Sequence, residues 1–164
     1  MILNNYKQFI KEVLQKIDTL GIDVSTLHMD HIGYQASSDE NYDTLKKLFE
    51  KFGTIVSEEL VGNRRVGIYK LKSPLLYQPY IISAIELIAP KEGQRCISGL
   101  EHVEFVLNES FSSFMKRYPD IPWDTSAMNR VDFPMIKVQL DTYLQAKFHH
   151  KSVLEMMSAN NKSI

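Results

Sequence analysis

Two short stretches of this chain are near copies of each other. Met29-Asp30-His31-Ile32-Gly33-Tyr34 and Leu100-Glu101-His102-Val103-Glu104-Phe105 both read large apolar, acid, histidine, β-branched, variable, aromatic. The two histidines are 71 residues apart (102 − 31). Each copy has strand character, and each is followed by a helical pattern. An internal repeat of this kind constrains the fold more than any local propensity, because each copy is a unit that buries its apolar face against the other. If the two units pair about a pseudo-twofold axis, His31 and His102 converge on one cavity.

The rest of the composition narrows the setting. The chain has 164 residues, 44% hydrophobic and 24% charged, which suits a globular fold of ordinary size. A formal net charge of −1 and the lack of a basic block argue against nucleic acid or an anionic membrane as the main partner. No apolar run approaches the ~20 residues of a membrane-spanning helix. The start, Met1-Ile2-Leu3-Asn4-Asn5-Tyr6-Lys7, does not read as a signal peptide. Cys96 is the only cysteine, so no internal disulfide forms and a cytoplasmic setting is expected.

Taken in order, Tyr6, Phe9, Ile10, Val13, Leu14, Ile17 and Leu20 fall at helical spacing, predicting an amphipathic helix over 4–20 that ends at Gly21. It covers apolar surface of the main body or serves as a dimer arm. A strand follows over 28–35. Ser37 and Glu40 have capping-box spacing before a helix that carries Leu45, Leu48, Phe49 and Phe52. Residues 55–61 and 66–71 read as a hairpin around Gly62-Asn63. An irregular excursion bounded by Ser73-Pro74 and Gln78-Pro79 comes next, then a strand over 80–89 and a linker over 90–99. The second unit opens with a strand over 100–107 and a short helix holding Phe111, Phe114, Met115 and Tyr118. Residues 136–140 and 143–150 alternate like strands. Ser152 and Glu155 predict a C-terminal helix, with a frayed tail from Asn160 onward. The expectation is one α+β domain over 1–164, built from module one (27–90), module two (99–158) and the N-terminal helix.

Strand alternation assigns the chemistry. His31, Glu86 and His102 each lie opposite an apolar face that packs under helices. Phe148 on the core side puts His149 on the other side. Imidazole nitrogens and a carboxylate on facing strands suit a divalent metal, Zn, Ni, Fe or Mn, with positions left open for substrate. His28 and His150 fall on the wrong faces. Glu104 shares the face of His102 one pleat repeat away, roughly 6.8 Å along the strand. That suits a catalytic or substrate-contacting carboxylate better than a ligand. Arg64-Arg65 beside the hairpin turn is a solvated pair or a site for a substrate carboxylate. No Ser-His-Asp order, phosphate-binding glycine loop or CxxC is present.

On Asp30-His31-Ile32-Gly33-Tyr34, Ile85-Glu86-Leu87-Ile88-Ala89-Pro90, Gly99-Leu100-Glu101-His102-Val103-Glu104 and Lys147-Phe148-His149, the chain resembles the vicinal oxygen chelate superfamily of glyoxalases, bleomycin-resistance proteins and extradiol dioxygenases. More narrowly it resembles the YecM-like family, over about residues 22–158. The resemblance implies two paired βαβββ modules forming a partly closed curved sheet around a metal. It implies ligands in the order His or Gln, Glu, His, Glu, the first three matched by His31, Glu86 and His102. His149 stands where glutamate is usual. The implied activity is a metal-dependent isomerase, lyase or dioxygenase acting on a small oxygen-rich molecule. The alternatives are a non-catalytic binder using the same cavity and a structural module without metal. A monomer or a homodimer fits either case.

Overall fold

The computed structural model describes residues 2–160. Its elements run α1 (Tyr6–Thr19), β1 (His28–Gln35), α2 (Asp39–Phe49), β2 (Gly53–Val61), β3 (Arg64–Tyr77), β4 (Tyr80–Ile88), β5 (Gly99–Val106), α3 (Phe111–Arg117), β6 (Ile136–Gln139), β7 (Gln145–His149) and α4 (Val153–Asn160). The tail expected from Asn160 onward lies, apart from Asn160 itself, outside the described residues. All seven strands join one curved open sheet in the order β2-β3-β4-β1-β5-β7-β6. The central pair β1·β5 is antiparallel, and each of these strands has a parallel neighbour on its outer side, β4 for β1 and β7 for β5. That arrangement is the pseudo-twofold axis which the repeat predicts.

The first module is βαβββ. The second is shorter than expected, βαββ, because the segment before β6 contributes only an isolated bridge, Asp124 to Lys137. Pro119, Pro122 and Pro134 deprive that segment of the backbone donors a ladder needs. Strand β3 is longer than expected. It runs through Pro74 to Tyr77, and a register shift between Lys70 and Leu75 accommodates the proline. The β2–β3 turn is a two-residue one with positive φ at both Gly62 (57°) and Asn63 (62°), the geometry that matches strand twist.

Helices α1, α2 and α3 cover one face of the sheet. Phe9, Ile10, Val13 and Ile17 of α1, Tyr42, Leu45 and Phe49 of α2, and Phe111 and Phe114 of α3 share a core with Ile32, Ile85, Leu87, Val103, Phe105 and Phe148. Each fully buried side chain of this size is worth about 1.5–3 kcal/mol of transfer free energy. Helix α2 starts one residue later than the expected box: Ser38 Oγ accepts from Asn41 N–H at 3.1 Å. Ser110 caps α3 in the same way, accepting from Ser113 N–H at 3.1 Å. Helix α4 belongs to the other face, where Val153 and Leu154 pack on Val66, Ile68, Ala84 and Ile88. No helix among the described residues is long and apolar enough to cross a membrane.

Candidate metal centre

The face opposite α1–α3 carries the chemistry. In a regular strand, Asp30 and His31 would point to opposite faces, as would Glu101 and His102. Two β-bulges change that. The β1·β5 register shifts between Met29 and His31, where Asp30 is the extra residue. It shifts again between Gly33 and Tyr34, where Glu101 is the extra residue. The bulges are related by the pseudo-twofold, and each re-aims an acid beside its histidine. His31 Nδ1 donates to Asp30 Oδ2 at 2.9 Å, and His102 Nδ1 donates to Glu101 Oε2 at 2.6 Å. His149 Nδ1 donates to the Lys151 carbonyl at 2.8 Å. With Nδ1 carrying the proton, all three neutral rings present an Nε2 lone pair to the cavity, the tautomer a metal needs.

The antiparallel register sets Glu104 opposite His31 and Gly33 opposite His102. A Cβ on residue 33 would lie 1.9 Å from His102 Cε1, so the glycine makes room for that ring. Glu104 becomes the hub. Its Oε1 lies 3.3 Å from His102 Nε2 and 3.1 Å from Lys147 Nζ; its Oε2 lies 3.5 Å from His31 Nε2 and 3.4 Å from His149 Nε2. Glu86 reaches in from β4, with Oε2 3.0 Å from His102 Nε2.

His31, Glu86, His102 and Glu104 thus bring ligand atoms within 4.8 Å of one another, and Asp30, His31 and His149 form a second such group. Sequence reasoning grouped His149 with His31, Glu86 and His102, and the structure keeps it near His31 but not in the group of Glu86 and His102. In the structure it touches Glu104 Oε2 and Asp30 Oδ2 instead, the latter at 3.6 Å. Sequence reasoning also kept Glu104 out of ligand range on pleat spacing, whereas side chains two residues apart on one face, both leaning into a curved sheet, close that gap. Glu104 is enclosed (1% exposed), so it faces basic groups rather than the opening. His28 is exposed, and His150 packs its ring on Phe111, 4.1 Å between centroids. Arg65 is absorbed by structure, bonding Asp39 and Asp43 on α2 and stacking on Tyr42.

The group that sequence reasoning missed is Lys147. It lies on β7 between the two registers, buried, with Nζ 3.1 Å from His102 Nε2 and 3.8 Å from Glu86 Oε2. A lysine in a strand ordinarily signals solvent. The available signal was that it shares a face with His149 across one residue.

Four carboxylates (Asp30, Glu86, Glu101, Glu104) therefore face one ammonium and three imidazoles. Burial pushes the His31 ring down, but Glu104 and Asp30 overcome it and lift it to about 10. Burial and Lys147 push His102 down, yet Glu101 and Glu104 lift it to about 9. Burial opposes ionisation of Glu104, and His31 and Lys147 hold it well below the usual carboxylate range. His149 goes the other way, lowered chiefly by burial. The site is short of positive charge, as a cation-binding cluster is. Three of its buried atoms have no hydrogen-bond partner: His31 Nε2, Glu104 Oε2 and His149 Nε2. The residues present fit a divalent ion.

Access is from one side. The side chains of Glu86, Glu101 and Lys147 are 16%, 23% and 10% exposed, while the three imidazoles are closed off. Beside Glu101, Gln35 and Gln145 line a groove of about 790 Å³.

Comparison with known proteins bears on the fold. The chain is 27% identical to Protein YecM of Escherichia coli (strain K12) over 106 residues, covering 65% of this chain and 56% of that one. It is 26% identical to an uncharacterized protein of Haemophilus influenzae over 113 residues, covering 66% and 59%. It thus spans little more than half the length of these relatives. Among solved structures, a structural-genomics protein superposes with a TM-score of 0.79 at 23% identity, over 96% of this chain and 90% of that one. A Streptomyces coelicolor methylmalonyl-CoA epimerase variant in complex with 2-nitronate-propionyl-CoA superposes at 0.55 and 11% identity, over 78% and 97%. A Bacillus subtilis protein described as a dioxygenase superposes at 0.51 and 9%, over 77% and 41%. The fold is that of the vicinal oxygen chelate superfamily. The YecM family profile matches residues 1–142, and the chain belongs to that family.

Proposed function

We propose that this protein is a metal-dependent enzyme of isomerase, lyase or oxygenase type, acting on a small oxygen-rich substrate in the cavity between the modules. The observation that carries this reading is the cluster of buried, partnerless donor atoms in a site with excess negative charge. A divalent ion, Zn, Ni, Fe or Mn, is held within the group His31, Glu86, His102, Glu104 and His149. When bound, it supplies a Lewis acid that polarises substrate oxygens and stabilises the negative charge they develop.

The chain's own residues do the rest. Asp30 and Glu101 fix the imidazole tautomers and orientations. Glu104 gathers the basic groups and keeps its charge. Glu86, reaching the open side with its charge held by Lys147 and His102, is the carboxylate placed to bond a substrate hydroxyl. The groove beside Glu101 has the volume of a small-molecule site. The epimerase neighbours bind acyl-CoA ligands, a class rich in carbonyl oxygen.

The test is elemental analysis of protein purified without a histidine tag, followed by calorimetric titration of chelator-treated protein. About one ion per chain is expected. Absence of metal together with no binding on titration overturns the reading. Turnover then separates an enzyme from a metal-loaded binder.

A further inference from the structure

The sheet register gives every position in one module a counterpart in the other. Gly33 pairs with Glu86 across β1·β4, and Glu104, 71 residues beyond Gly33, pairs with Lys147 across β5·β7. Lys147 is therefore the counterpart of Glu86. By the same rule Gln35 pairs with Ile88, and Val106 with His149, so His149 corresponds to Ile88. The position that completes a symmetric ligand set thus carries an ammonium, and the extra histidine lies one pleat repeat further along β7.

The contacts follow this displacement. Lys147 Nζ lies 3.1 Å from both His102 Nε2 and Glu104 Oε1. It fills the space that an ion between those donors would need. His102 Nε2 has a partner in either protonation state, accepting from Lys147 when neutral or donating to Glu86 when charged. On the other side of Glu104 no ammonium among the described residues reaches Oε2, which faces only the two imidazoles. The three partnerless atoms, His31 Nε2, Glu104 Oε2 and His149 Nε2, all belong to that side. Each imidazole nitrogen lies close to Glu104 Oε2, at 3.5 and 3.4 Å, near the roughly 3.4 Å that separates a pair of donors on a tetrahedral ion with ~2.1 Å bonds. Asp30 Oδ2 stands behind the His31 ring, 2.9 Å from Nδ1, and on the donor side of His149, 3.6 Å from Nε2.

We propose that the ion is held by His31 Nε2, Glu104 Oε2 and His149 Nε2, and that the Lys147 ammonium permanently occupies the position between His102, Glu86 and Glu104 as a tethered cation. Two imidazoles and one carboxylate form an open set that leaves coordination positions unfilled by protein side chains. Lys147 then stands between this ion and the exposed edge of Glu86, where it meets an anionic oxygen of an incoming substrate. This inference rests on the metal-dependent reading above and decides which residues serve it.

The test is calorimetric Zn²⁺ titration of the chelator-treated full chain and its variants, each checked for folding by circular dichroism. Wild type binds one Zn²⁺. His149→Ala and His31→Ala weaken binding by more than a hundredfold, with His149→Gln as a milder second variant of the same ligand. His102→Ala and Glu86→Gln weaken it by no more than the roughly 10–100-fold typical of residues beside a ligand set. Lys147→Met keeps the first ion and opens the His102–Glu86 side to a second, raising the stoichiometry. Loss of Zn²⁺ in the His102 or Glu86 variants with retention in both His149 variants overturns the assignment. An unchanged stoichiometry in Lys147→Met overturns the tethered cation. If wild type itself binds no Zn²⁺, Ni²⁺, Fe²⁺ or Mn²⁺, it is the metal-dependent reading that fails.

Discussion

The two modules have the same skeleton and different electrostatics. Each has a central strand with a bulge, an acid re-aimed by that bulge, a histidine held at Nδ1 by the acid, and a parallel neighbour strand delivering a second charged side chain. On the first module the paired positions are Gly33 and Glu86, and on the second they are Glu104 and Lys147. The second module carries its own countercharge, and the first does not. Backbone geometry is shared because the sheet pairing dictates it. The chemistry is divided because single side chains at matched positions dictate it.

The largest expected effect separates the two histidines by pH. Without metal, both rings have folded-state pKa values above the unfolded value of about 6.5, at about 10 for His31 and about 9 for His102. A raised pKa stabilises the fold fully below pH 6.5, and that contribution is lost as pH rises through the folded value. Each imidazole then contributes a slope of about 1.4 kcal/mol per pH unit. Chelator-treated protein should lose urea stability steadily from pH 6.5 to 9, with His102 the first ring to titrate by NMR. Metal binding requires neutral rings, so the loaded protein should not show this alkaline loss. The site carboxylates act oppositely, stabilising above their unfolded pKa of about 4.5, which leaves a metal-free optimum between pH 4.5 and 6.5.

Next comes Gly33→Ala. The added methyl meets the His102 ring, and the variant should lose about 3 kcal/mol in urea unfolding. A loss under 1 kcal/mol would mean that the His102 ring moves freely and the modules are less tightly matched than described. The two acid–histidine pairs give the third comparison. Asp30 is buried and serves two partners, His31 and the Val153 amide. Asp30→Asn should cost about 2 kcal/mol and weaken metal binding roughly 10–100-fold. Glu101 serves only His102 and is partly exposed, so Glu101→Gln should cost under about 1 kcal/mol and leave metal affinity near wild type. Equal effects would erase the difference between the halves. The smallest pair is Ser38→Ala against Ser110→Ala, about 1 kcal/mol each by thermal unfolding, since both caps make one matched bond.

Much of this site was legible in the sequence, and the parts that were not share a cause. The repeat pointed to two modules related by a pseudo-twofold axis, and alternation set His31, Glu86 and His102 on the face away from the helices. Alternation assumes an unbroken pleat, so it could not foresee that bulges turn Asp30 and Glu101 inward. Nor does a single strand reveal its register with a neighbour, which is what puts Glu104 opposite His31 and Lys147 at the counterpart of Glu86. Lys147 was hidden for a compositional reason: a lysine between Ala146 and Phe148 reads as the solvent side of a strand, and only the surrounding carboxylates make its burial tolerable. The third trailing strand of the second module was implied by the family resemblance alone; residue alternation marked only 136–140 and 143–150, where β6 and β7 lie.

The bond from the Val153 amide to Asp30 Oδ2, 3.0 Å, gives the C-terminal helix an unexpected standing. One carboxylate both holds His31 and receives the first N–H of α4, which lies 123 residues away in sequence. Whatever draws electron density from Asp30 at the imidazole end weakens its hold on the amide end. Hydrogen exchange at Val153 therefore reads out the occupancy of a cavity that the helix itself does not line. A buried backbone proton at the start of a helix becomes a reporter on a site otherwise closed to direct observation.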